Sequence, residues 1–492
     1  MRVLLGTPPW SFAELMGEKP RRHRPEKDAA LIGVPQPLGI LSIAATLEQA
    51  GHEVDIVDGY FESLPQILDR IASFRPDVVG LGTNHCLWAN VKESFRAIKG
   101  RFPDVRTVVG GPPDTMPHSD CLADCPDLDF AVEGEGEFTM RELAAALADG
   151  GALDTIEGLI FRDNSGQVVT NAKRCAIQDL NALPFPSRDR INLERYIASL
   201  AVMGPVPFAN VVTTRGCPHG CGFCPIGDST THGAVRMRNA ESIVEEVSYL
   251  VERHGVRSIN FYDDFPVFVL DRSEGERICH ALIDKGYDLK WTMNVFTYGL
   301  DEAYLELLRK AGLWRVQCMG PSAVQKNADA LQAGDRRGVS AERIARGVET
   351  IHRAGIETVG KFIVGIPGET VEEAQETIEF ACRLPLDFVI FMPVPVFPTS
   401  PMYRDQLARG LLSNDPTTKN IFHIHYDADG LQPDQLQKLI RTAYTTFYFR
   451  PQYLVRRALA LRSFEELTRY LRYARRVYYN VGRYVHHPAG HS

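Results

Sequence analysis

Apolar residues recur along this chain in two patterns. Short, nearly continuous runs of valine, isoleucine and leucine alternate with longer stretches whose apolar residues repeat every three or four positions. The runs are typical of strands buried on both faces of a parallel sheet, and the longer stretches are typical of the amphipathic helices that connect such strands. The alternation therefore predicts an α/β protein built from repeated βα units.

The first series of βα units covers residues 1–150. It contains five apolar runs, which read RVLLGT, HEVDIVD, PDVVGLGT, RTVVGG and LDFAVEG. Five strands joined by helices and short loops predict a doubly wound, Rossmann-like sheet. Glycine or proline follows several of the runs. Ligands of such sheets bind outside the carboxyl ends of the strands, where glycine lets them approach the backbone. These positions predict a binding site, and the alternative is that they only make turns.

A second series occupies residues 205–415 and predicts a partial (β/α)6 barrel with its site at the carboxyl ends of the strands. Its six strand candidates are FANVVTT, SINFYDD, LKWTMNV, LWRVQCM, ETVGKFIVGIPG and DFVIFMPVPVF. Residues 151–204, between the two series, carry a hairpin signal around 164–166 and the proline-rich stretch LNALPFPSRDR, so they are predicted to be a connector. Residues 416–492 are predicted to be a helical C-terminal region. Their interleaved arginines and tyrosines favour an amphipathic cap, and the alternative is contact with an anionic substrate or a membrane surface.

Composition excludes several classes of protein. A chain of 492 residues is too long for one ordinary domain, and 44% hydrophobic and 24% charged residues are typical of a soluble globular protein. The net charge of −8 argues against a nucleic-acid partner. Without an apolar run of about 18 residues, no membrane-spanning helix is expected. Ten cysteines are too few for a disulfide scaffold, so a cytoplasmic location is expected.

Three of these cysteines crowd the loop that follows the first strand candidate of the barrel. Cys217, Cys221 and Cys224 lie in the stretch TTRGCPHGCGFCPIG. Thiolates are the ligands of iron–sulfur clusters, and close spacing lets a single loop hold one cluster. A four-iron cubane with three protein thiolates leaves one iron open to another ligand. The alternative is a zinc site with His219 as the fourth ligand.

The spacing Cys-x3-Cys-x2-Cys after a first barrel strand resembles the cluster loop of radical S-adenosylmethionine (SAM) enzymes, and Phe223 matches the aromatic residue of that loop. The resemblance implies that the amino and carboxylate groups of SAM chelate the open iron of a [4Fe–4S] cluster. It implies that an electron from an external flavodoxin- or ferredoxin-type donor then splits SAM to a 5′-deoxyadenosyl radical. Within the barrel, the candidate contacts of SAM are Asp263 or Asp264, Asn294 and the backbone near Gly365–Pro367.

The N-terminal series resembles the cobalamin-binding domain that precedes the barrel in one large subfamily of these enzymes. The resemblance rests on PLGILSIAATLEQAGHEVDIVD, VVGGPP and DFAVEGEGE, and GKFIVGIPGETVEEAQETIEF and AYTTFYFRP extend it over nearly the whole chain. The cobalamin contacts that it implies are Pro37, Leu38, Thr83, Asn84, His85, Gly110, Gly111, Glu133, Gly134 and Glu135. The motif Asp-x-His-x-x-Gly, which supplies a cobalt ligand in other cobalamin enzymes, is absent. Cobalamin is therefore expected without a histidine from that motif, and His85 either lines the site or ligates cobalt.

One position departs from the pattern of the subfamily. After the fourth barrel strand the subfamily reads Gly-Ile-Glu-Ser and places the glutamate near SAM, whereas this chain has Pro321 where the acid would be. A proline side chain neither accepts a hydrogen bond nor carries charge. SAM is therefore held by other groups, or it sits differently and serves mainly as a methyl donor.

The resemblance implies a cobalamin-dependent radical SAM methyltransferase that transfers a methyl group from SAM, via methylcobalamin, to an unactivated carbon of a small metabolite. Radical chemistry suits such a carbon, because it has no acidic proton for a general base to remove. Ring formation, rearrangement or oxidation with the same cofactors is the first alternative. An RNA methylthiotransferase needs three further N-terminal cysteines, whereas the first cysteine here is Cys86. A non-catalytic cofactor carrier is the remaining alternative. No catalytic side chain is assigned.

Overall fold

The computed structural model of the chain describes residues 1–11, 33–84, 87–111, 118–163, 165–196, 198–199, 204–226, 235–296, 299–331, 339–395, 397, 400–411 and 431–460. The chain divides into two compact units, of which the first includes residues 36–195 and the second includes residues 234–492. No helix in the described part of the chain is both long and apolar enough to cross a membrane.

The first unit is a doubly wound sheet of seven strands, in the order β2-β1-β3-β4-β5-β6-β7. The first five strands are parallel, as predicted. The strands are β1 (Arg2–Thr7), β2 (Glu53–Asp58), β3 (Val78–Gly82), β4 (Arg106–Gly110), β5 (Phe130–Val132), β6 (Leu159–Arg162) and β7 (Val168–Thr170). The helices are α1 (Leu38–Gln49), α2 (Leu64–Phe74), α3 (Trp88–Arg101), α4 (His118–Asp124) and α5 (Gly136–Asp149).

The apolar runs of this sheet are buried on both faces. Leu5 faces a core formed with α1 and α5, whereas its neighbour Leu4 faces a second core formed with α2, α3 and α4. Successive side chains of a strand point to opposite faces, so a strand with helices on both sides must be apolar at every position. This explains why the strands read as continuous runs.

The predicted connector contributes structure to the first unit. Strands β6 and β7 pair antiparallel, which confirms the hairpin signal, although Asn164 itself lies outside the described residues. The proline-rich stretch packs along α1: the amide of Ser187 donates to the carbonyl of Leu41 at 3.1 Å, and Arg190 pairs with Glu48 at 2.6 Å. Arg188 is buried and donates to Gln36 Oε1 at 2.5 Å. These residues therefore hold α1 in place from its start to its end.

The second unit contains a parallel sheet of six strands, in the order β15-β14-β13-β12-β11-β8, which is the predicted partial barrel. Its strands are β8 (Phe208–Val211), β11 (Ser258–Phe261), β12 (Lys290–Phe296), β13 (Leu313–Met319), β14 (Glu357–Val364) and β15 (Phe388–Pro393). A small antiparallel pair, β9 (Thr214–Arg215) and β10 (Arg236–Met237), follows β8. The helices are α6 (Ala240–His254), α7 (Val267–Leu270), α8 (Arg272–Lys285), α9 (Glu302–Lys310), α10 (Gln325–Ala330), α11 (Ala341–Arg353), α12 (Val371–Arg383), α13 (Pro401–Ala408), α14 (Pro433–Tyr448) and α15 (Pro451–Ala460).

Charged and amide side chains lie at matching register positions of neighbouring barrel strands. Asn260 donates to Asn210 Oδ1 at 2.9 Å, and the guanidinium of Arg315 pairs with Glu357 at 2.6 Å. Arg457, on α15, contacts the second oxygen of Glu357 at 3.4 Å. Arg315 is only 1% exposed. Asn210 and Asn260 are also buried, so most of these polar groups lie out of contact with solvent.

Helix α14 covers β15, which is an edge strand of the six-stranded sheet. The hydroxyl of Tyr444 accepts from the amide of Phe391 and donates to its carbonyl, both at 3.2 Å. The hydroxyl of Tyr448 does the same for Val389, at 3.1 and 3.0 Å. Tyr444 and Tyr448 are one helical turn apart, so their rings stack and reach alternate residues of the strand. Two side chains thus satisfy four backbone groups of the edge.

We expect Tyr448→Phe to lower the free energy of unfolding by roughly 2 kcal/mol, because it leaves a buried amide and a buried carbonyl of Val389 without partners. Tyr287→Phe is the matched control, since it removes an exposed hydroxyl that contacts Glu252 and should change stability by at most about 0.5 kcal/mol. Urea denaturation of the full chain measures both. Equal losses in the two variants would contradict a specific role for the Tyr448 hydroxyl.

Candidate functional site

The three cysteines lie in a loop that begins and ends at the small pair β9 and β10. Arg215 pairs with Arg236, and Thr214 pairs with Met237. The loop between these two strands therefore leaves the barrel and returns to it at the same place. Gly216 opens the loop with φ of 99°, a left-handed conformation that favours glycine. The pairing of β9 with β10 therefore anchors both ends of the predicted cluster loop. Residues 227–234 of the loop lie outside the described part.

The Cys217 thiol is near enough to Cys221 and Cys224 to feel their charges. The amide of Cys224 donates to the carbonyl of Cys221 at 3.0 Å. Burial raises the pKa of Cys217 to about 12, and the neighbouring Cys221 and Cys224 also act to raise it. Such a thiol is protonated at neutral pH and loses its proton when it binds a metal. Three adjacent soft sulfur donors fit an iron–sulfur cluster.

A single metal ion is a poorer fit to this loop. Within the described ranges, no three histidine, cysteine, aspartate or glutamate side chains, the three loop cysteines included, form a group that could hold one metal ion. His219 is buried, and its ring packs edge-on against Phe265 and Phe296 at centroid distances of 5.0 and 4.9 Å. These observations give the zinc alternative no support. In a cubane, by contrast, each thiolate binds a different iron.

The middle of the loop is fastened to the barrel by its backbone and by Phe223. Gly222 donates from its amide to the carbonyl of Leu331 at 2.9 Å and accepts from the amide of Met402 at 2.9 Å. Phe223 packs in an apolar cluster with Ile363 of β14 and Met392 of β15. The residue matched to the aromatic of the radical SAM loop thus positions that loop on the barrel strands. Its predicted contact with SAM remains a prediction.

Asp263, a predicted SAM contact, binds the chain that leads into the cluster loop. One oxygen accepts from the amides of Thr213 and Thr214 at 2.6 and 2.9 Å, and the other accepts from the hydroxyl of Thr213 at 2.7 Å. Burial raises the pKa of Asp263 to about 7, although the hydrogen bonds from Thr213 and Thr214 oppose that rise. Both carboxyl oxygens therefore bind Thr213 and Thr214, so Asp263 positions the loop.

Asn294, another predicted SAM contact, lies on β12 and accepts a hydrogen bond from the ammonium of Lys361 at 2.9 Å. Lys361 belongs to β14, so the pair spans β13 between them. Both side chains are partly exposed, in contrast to Arg315 nearer the amino-terminal ends of the strands. An amide and an ammonium thus lie together within the barrel, where they are available to a ligand.

Gly365 begins the turn between β14 and α12. Its φ is 77°, and a Cβ atom there would lie 2.4 Å from Leu436, so only glycine fits without rearrangement. Glu369 fixes this turn by accepting from the amides of Gly365 and Ile366 at 2.6 and 3.2 Å and from Asn327 at 3.0 Å. Burial raises the pKa of Glu369 to about 7. The Gly365 amide is used inside the turn, so a ligand would meet other atoms of this segment.

Pro321 continues the pairing of β13 with β14. Its carbonyl accepts from the amide of Ile363 at 3.0 Å, and the amide of Gly320 donates to the carbonyl of Lys361 at 3.0 Å. Pro321 and Ser322 are both buried. The position that lacks the acid is therefore part of the regular sheet.

In the first unit, predicted cobalamin contacts lie at the carboxyl ends of β3 and β4. The amide of Thr83 donates to the carbonyl of Gly110 at 2.8 Å, and a Cβ atom on Gly111 would lie 1.9 Å from the carbonyl oxygen of Thr83. Asn84 accepts from the amide of Leu87 and so starts α3. His85 lies outside the described residues. The strand order 2-1-3-4-5 places its crevice between β1 and β3, and Thr83 and Asn84 directly follow β3.

Pro37 and Leu38 form the first turn of α1 with Gly39. Both are partly exposed, and a Cβ atom on Gly39 would meet no atom within 4 Å. A Cβ atom on Gly110 would meet only Val132, at 3.9 Å. Open backbone and apolar side chains fit a large, flat group such as a corrin ring.

Glu133, Gly134 and Glu135 follow β5 and contact the predicted connector. Glu133 pairs with Lys173 at 3.5 Å, and Glu135 accepts from the amide of Ile177 at 2.6 Å. Gly134 has φ of 85°, so it makes the turn that leads into α5. These contacts stabilise the protein itself, and a contact with cobalamin remains a prediction for all three.

Lys361 and Glu369 were not predicted from the sequence as residues of the site. Lys361 is the single charged residue in the apolar run VGKFIVG, and Glu369 follows the turn GIPG directly before a helix. A lone charge in a buried strand and an acid beside a glycine turn were the available signals.

Models of known families match both units. The model of the radical SAM superfamily matches residues 211–381, and the model of the B12 binding domain matches residues 29–144. An uncharacterized methyltransferase of Pyrococcus horikoshii is 30% identical over 458 residues, which is 90% of this chain and 94% of that protein. The anaerobic magnesium-protoporphyrin IX monomethyl ester cyclase of Rubrivivax gelatinosus is 28% identical over 72% of this chain and 63% of its own. The cytidylyl-2-hydroxyethylphosphonate methyltransferase of Streptomyces wedmorensis is 26% identical over 76% of this chain and 77% of its own.

Two solved structures share the fold. The radical SAM methyltransferase TsrM of Kitasatospora setae, with cobalamin and a [4Fe–4S] cluster bound, superposes with a TM-score of 0.65 at 19% identity, over 83% of this chain and 75% of its own. The cobalamin-dependent SAM radical enzyme OxsB, with aqua-cobalamin and SAM bound, gives a TM-score of 0.70 at 17% identity, over 97% of this chain and 71% of its own.

Proposed function

Because this chain belongs to the cobalamin-dependent radical SAM methyltransferase family, we propose that it transfers a methyl group from SAM, by way of cobalamin, to an unactivated carbon of a small metabolite. The cofactors of the family are a [4Fe–4S] cluster, SAM and cobalamin. The observation that carries the proposal is the Pyrococcus horikoshii methyltransferase, which matches this chain at 30% identity over nearly its whole length.

When bound, these cofactors supply a methyl group and a radical able to remove a hydrogen atom from carbon. The protein holds the cluster through Cys217, Cys221 and Cys224. Asp263 fixes the start of their loop, and Phe223 fixes its middle against the strands. We expect a flavodoxin- or ferredoxin-type protein to deliver the electron.

The test uses the full chain, reconstituted anaerobically with iron, sulfide and hydroxocobalamin and supplied with SAM that carries an isotopic label in its methyl group. Label recovered on the cobalamin fraction supports the methyl-transfer half of the proposal before any substrate is known. Mass spectrometry of metabolite pools incubated with the enzyme then searches for a product that carries the labelled methyl group. Reduced flavodoxin in place of dithionite tests the electron donor. Cobalamin that stays unlabelled would refute methyl transfer.

Ring formation or another radical oxidation is the second candidate. The 28% identity to the Rubrivivax gelatinosus cyclase, over 72% of this chain, favours it. The two candidates differ in the carbon count of the product. A consumed metabolite whose product has the same number of carbons and no label from SAM would support the second candidate and exclude the first for that metabolite.

A further inference from the structure

The ammonium of Lys361 lies inside the partial barrel with one protein partner. It donates to Asn294 Oδ1 at 2.9 Å, and no carboxylate in the described part of the chain lies within ion-pair distance of it. Glu357, on the same face of β14, is already paired with Arg315 and Arg457. A lysine ammonium has three N–H donors. Lys361 therefore has donors to offer to a ligand.

The pair of Lys361 and Asn294 lies one step along the strands from residues that contact the cluster loop. Ile363, two residues beyond Lys361, belongs to the apolar cluster against which Phe223 packs. Phe296, two residues beyond Asn294, packs against His219. Residues two apart on a strand share a face and are separated by about 7 Å. The pair therefore lies on the inner face, about 7 Å from the layer that holds the predicted cluster loop.

Among the described residues, none near the ammonium supplies a counter-charge. Met319 is opposite Lys361 in the strand register, and Gln317 is opposite Asn294. At position 321, two residues beyond Met319 on the same strand, the chain has proline and no acid. Burial lowers the pKa of Lys361 to about 8, so the group is still mostly cationic at neutral pH. Charges inside proteins are ordinarily paired, and an unpaired one is costly.

We propose that Lys361 and Asn294 form a recognition point for an anionic oxygen group, either a carboxylate or a phosphate, on a small molecule bound inside the barrel. The inference rests on the proposed function, because that function places SAM and a small metabolite near the cluster loop. Lysine binds such groups as a point charge, and the amide of Asn294 adds a donor of its own. Two molecules could bring the anion: SAM through its carboxylate, or the metabolite.

The experiment compares Lys361→Met with Lys290→Met in the full, reconstituted chain. Lys290 is exposed at the start of β12, so the control removes the same charge from the same unit. Equilibrium dialysis measures the affinity for SAM. Binding of a free anion is measured in the presence of saturating SAM. The melting temperature of the protein in inorganic phosphate is compared with its melting temperature in chloride at equal ionic strength. Lys361→Arg, which keeps the charge, should retain most of the binding.

If SAM brings the anion, Lys361→Met should weaken SAM binding at least tenfold, whereas Lys290→Met should leave it within twofold. If the metabolite brings it, SAM binding should stay within twofold in both variants, and only Lys361→Met should lose the stabilisation by phosphate. Wild-type behaviour of Lys361→Met in both measurements would overturn the proposal. Equal losses in the two variants would also overturn it, because they would assign the effect to general surface charge.

Folding of the variant is checked by its melting temperature without ligand. Removing a half-buried ammonium that has no ion-pair partner among the described residues should leave that temperature unchanged or raise it. If Lys361→Met melts lower, Lys361→Gln, which keeps a polar contact with Asn294, replaces it in both measurements.

Labelling of cobalamin by the wild type separates this inference from the proposed function. Labelling together with wild-type anion binding in Lys361→Met would refute the inference alone. Absent labelling together with lost anion binding would refute methyl transfer alone.

Discussion

Replacement of Cys217 by alanine is expected to abolish the iron–sulfur absorption of the reconstituted protein and, with it, all reductive cleavage of SAM. Three thiols in one short loop are the only protein ligands that the radical SAM spacing offers, and the loss of one leaves a second iron without a protein ligand. The measurements are the visible spectrum and iron content after anaerobic reconstitution, followed by chromatographic detection of 5′-deoxyadenosine.

The matched control for this expectation is Cys382→Ala, which removes a half-buried thiol from α12 of the same unit. It should retain the full iron content and the wild-type rate of SAM cleavage. If Cys217→Ala kept its iron content and its cleavage of SAM, Cys217 would not be a cluster ligand. The hypothesis that this loop binds the cluster would then be wrong.

Replacement of Asp263 by alanine is expected to destabilise the second unit by roughly 3 kcal/mol, because it leaves two buried amides and a buried hydroxyl of Thr213 and Thr214 without their acceptor. The same change loosens the chain directly before the cluster loop, so iron content after reconstitution should also fall. Urea denaturation and iron analysis measure the two effects. Asp284→Ala, at an exposed position of α8, is the control and should leave both unchanged.

Asp263 should also give stability a distinctive dependence on pH. Burial raises its pKa in the folded protein from 3.8 to about 7. Below about pH 4 the folded and unfolded states both hold the proton. Between about pH 4 and 7 only the folded state holds it, so the contribution of Asp263 to the free energy of unfolding falls as the pH rises through this window. Asp263→Asn cannot titrate, and its stability relative to wild type should therefore improve from pH 4 to pH 7. A constant difference would contradict the raised pKa.

Most strands of both units were predictable because each is a short run of predominantly apolar residues. The run LWRVQCM coincides with β13, for example, and the thiol spacing of the cluster loop is visible within eight residues. Contacts that depend on register were not predictable. Lys361 and Asn294 are 67 positions apart and meet only because β12, β13 and β14 pair in one particular alignment.

The binding partner of a polar side chain at a strand end was also not predictable from the sequence. Asp263 occupies a position at which an acid can face either a ligand or the backbone, and only the path of Thr213 and Thr214 decides between them. Glu133 and Glu135 follow the same logic, since Lys173 and Ile177 come from a segment that reads as a plain connector. Local patterns predict where such groups lie, whereas the course of neighbouring segments determines what they bind.

The tyrosines of α14 have a consequence for how the chain can be shortened. A sheet edge with unpaired amides and carbonyls is a template for strands of other molecules. The Tyr444 and Tyr448 hydroxyls form hydrogen bonds with these groups on β15. A protein truncated before α14 would therefore keep the cluster loop but expose a sheet edge with unpaired backbone groups. Such a truncation would self-associate, and any activity that it lost would reflect aggregation of the barrel as much as the missing helices.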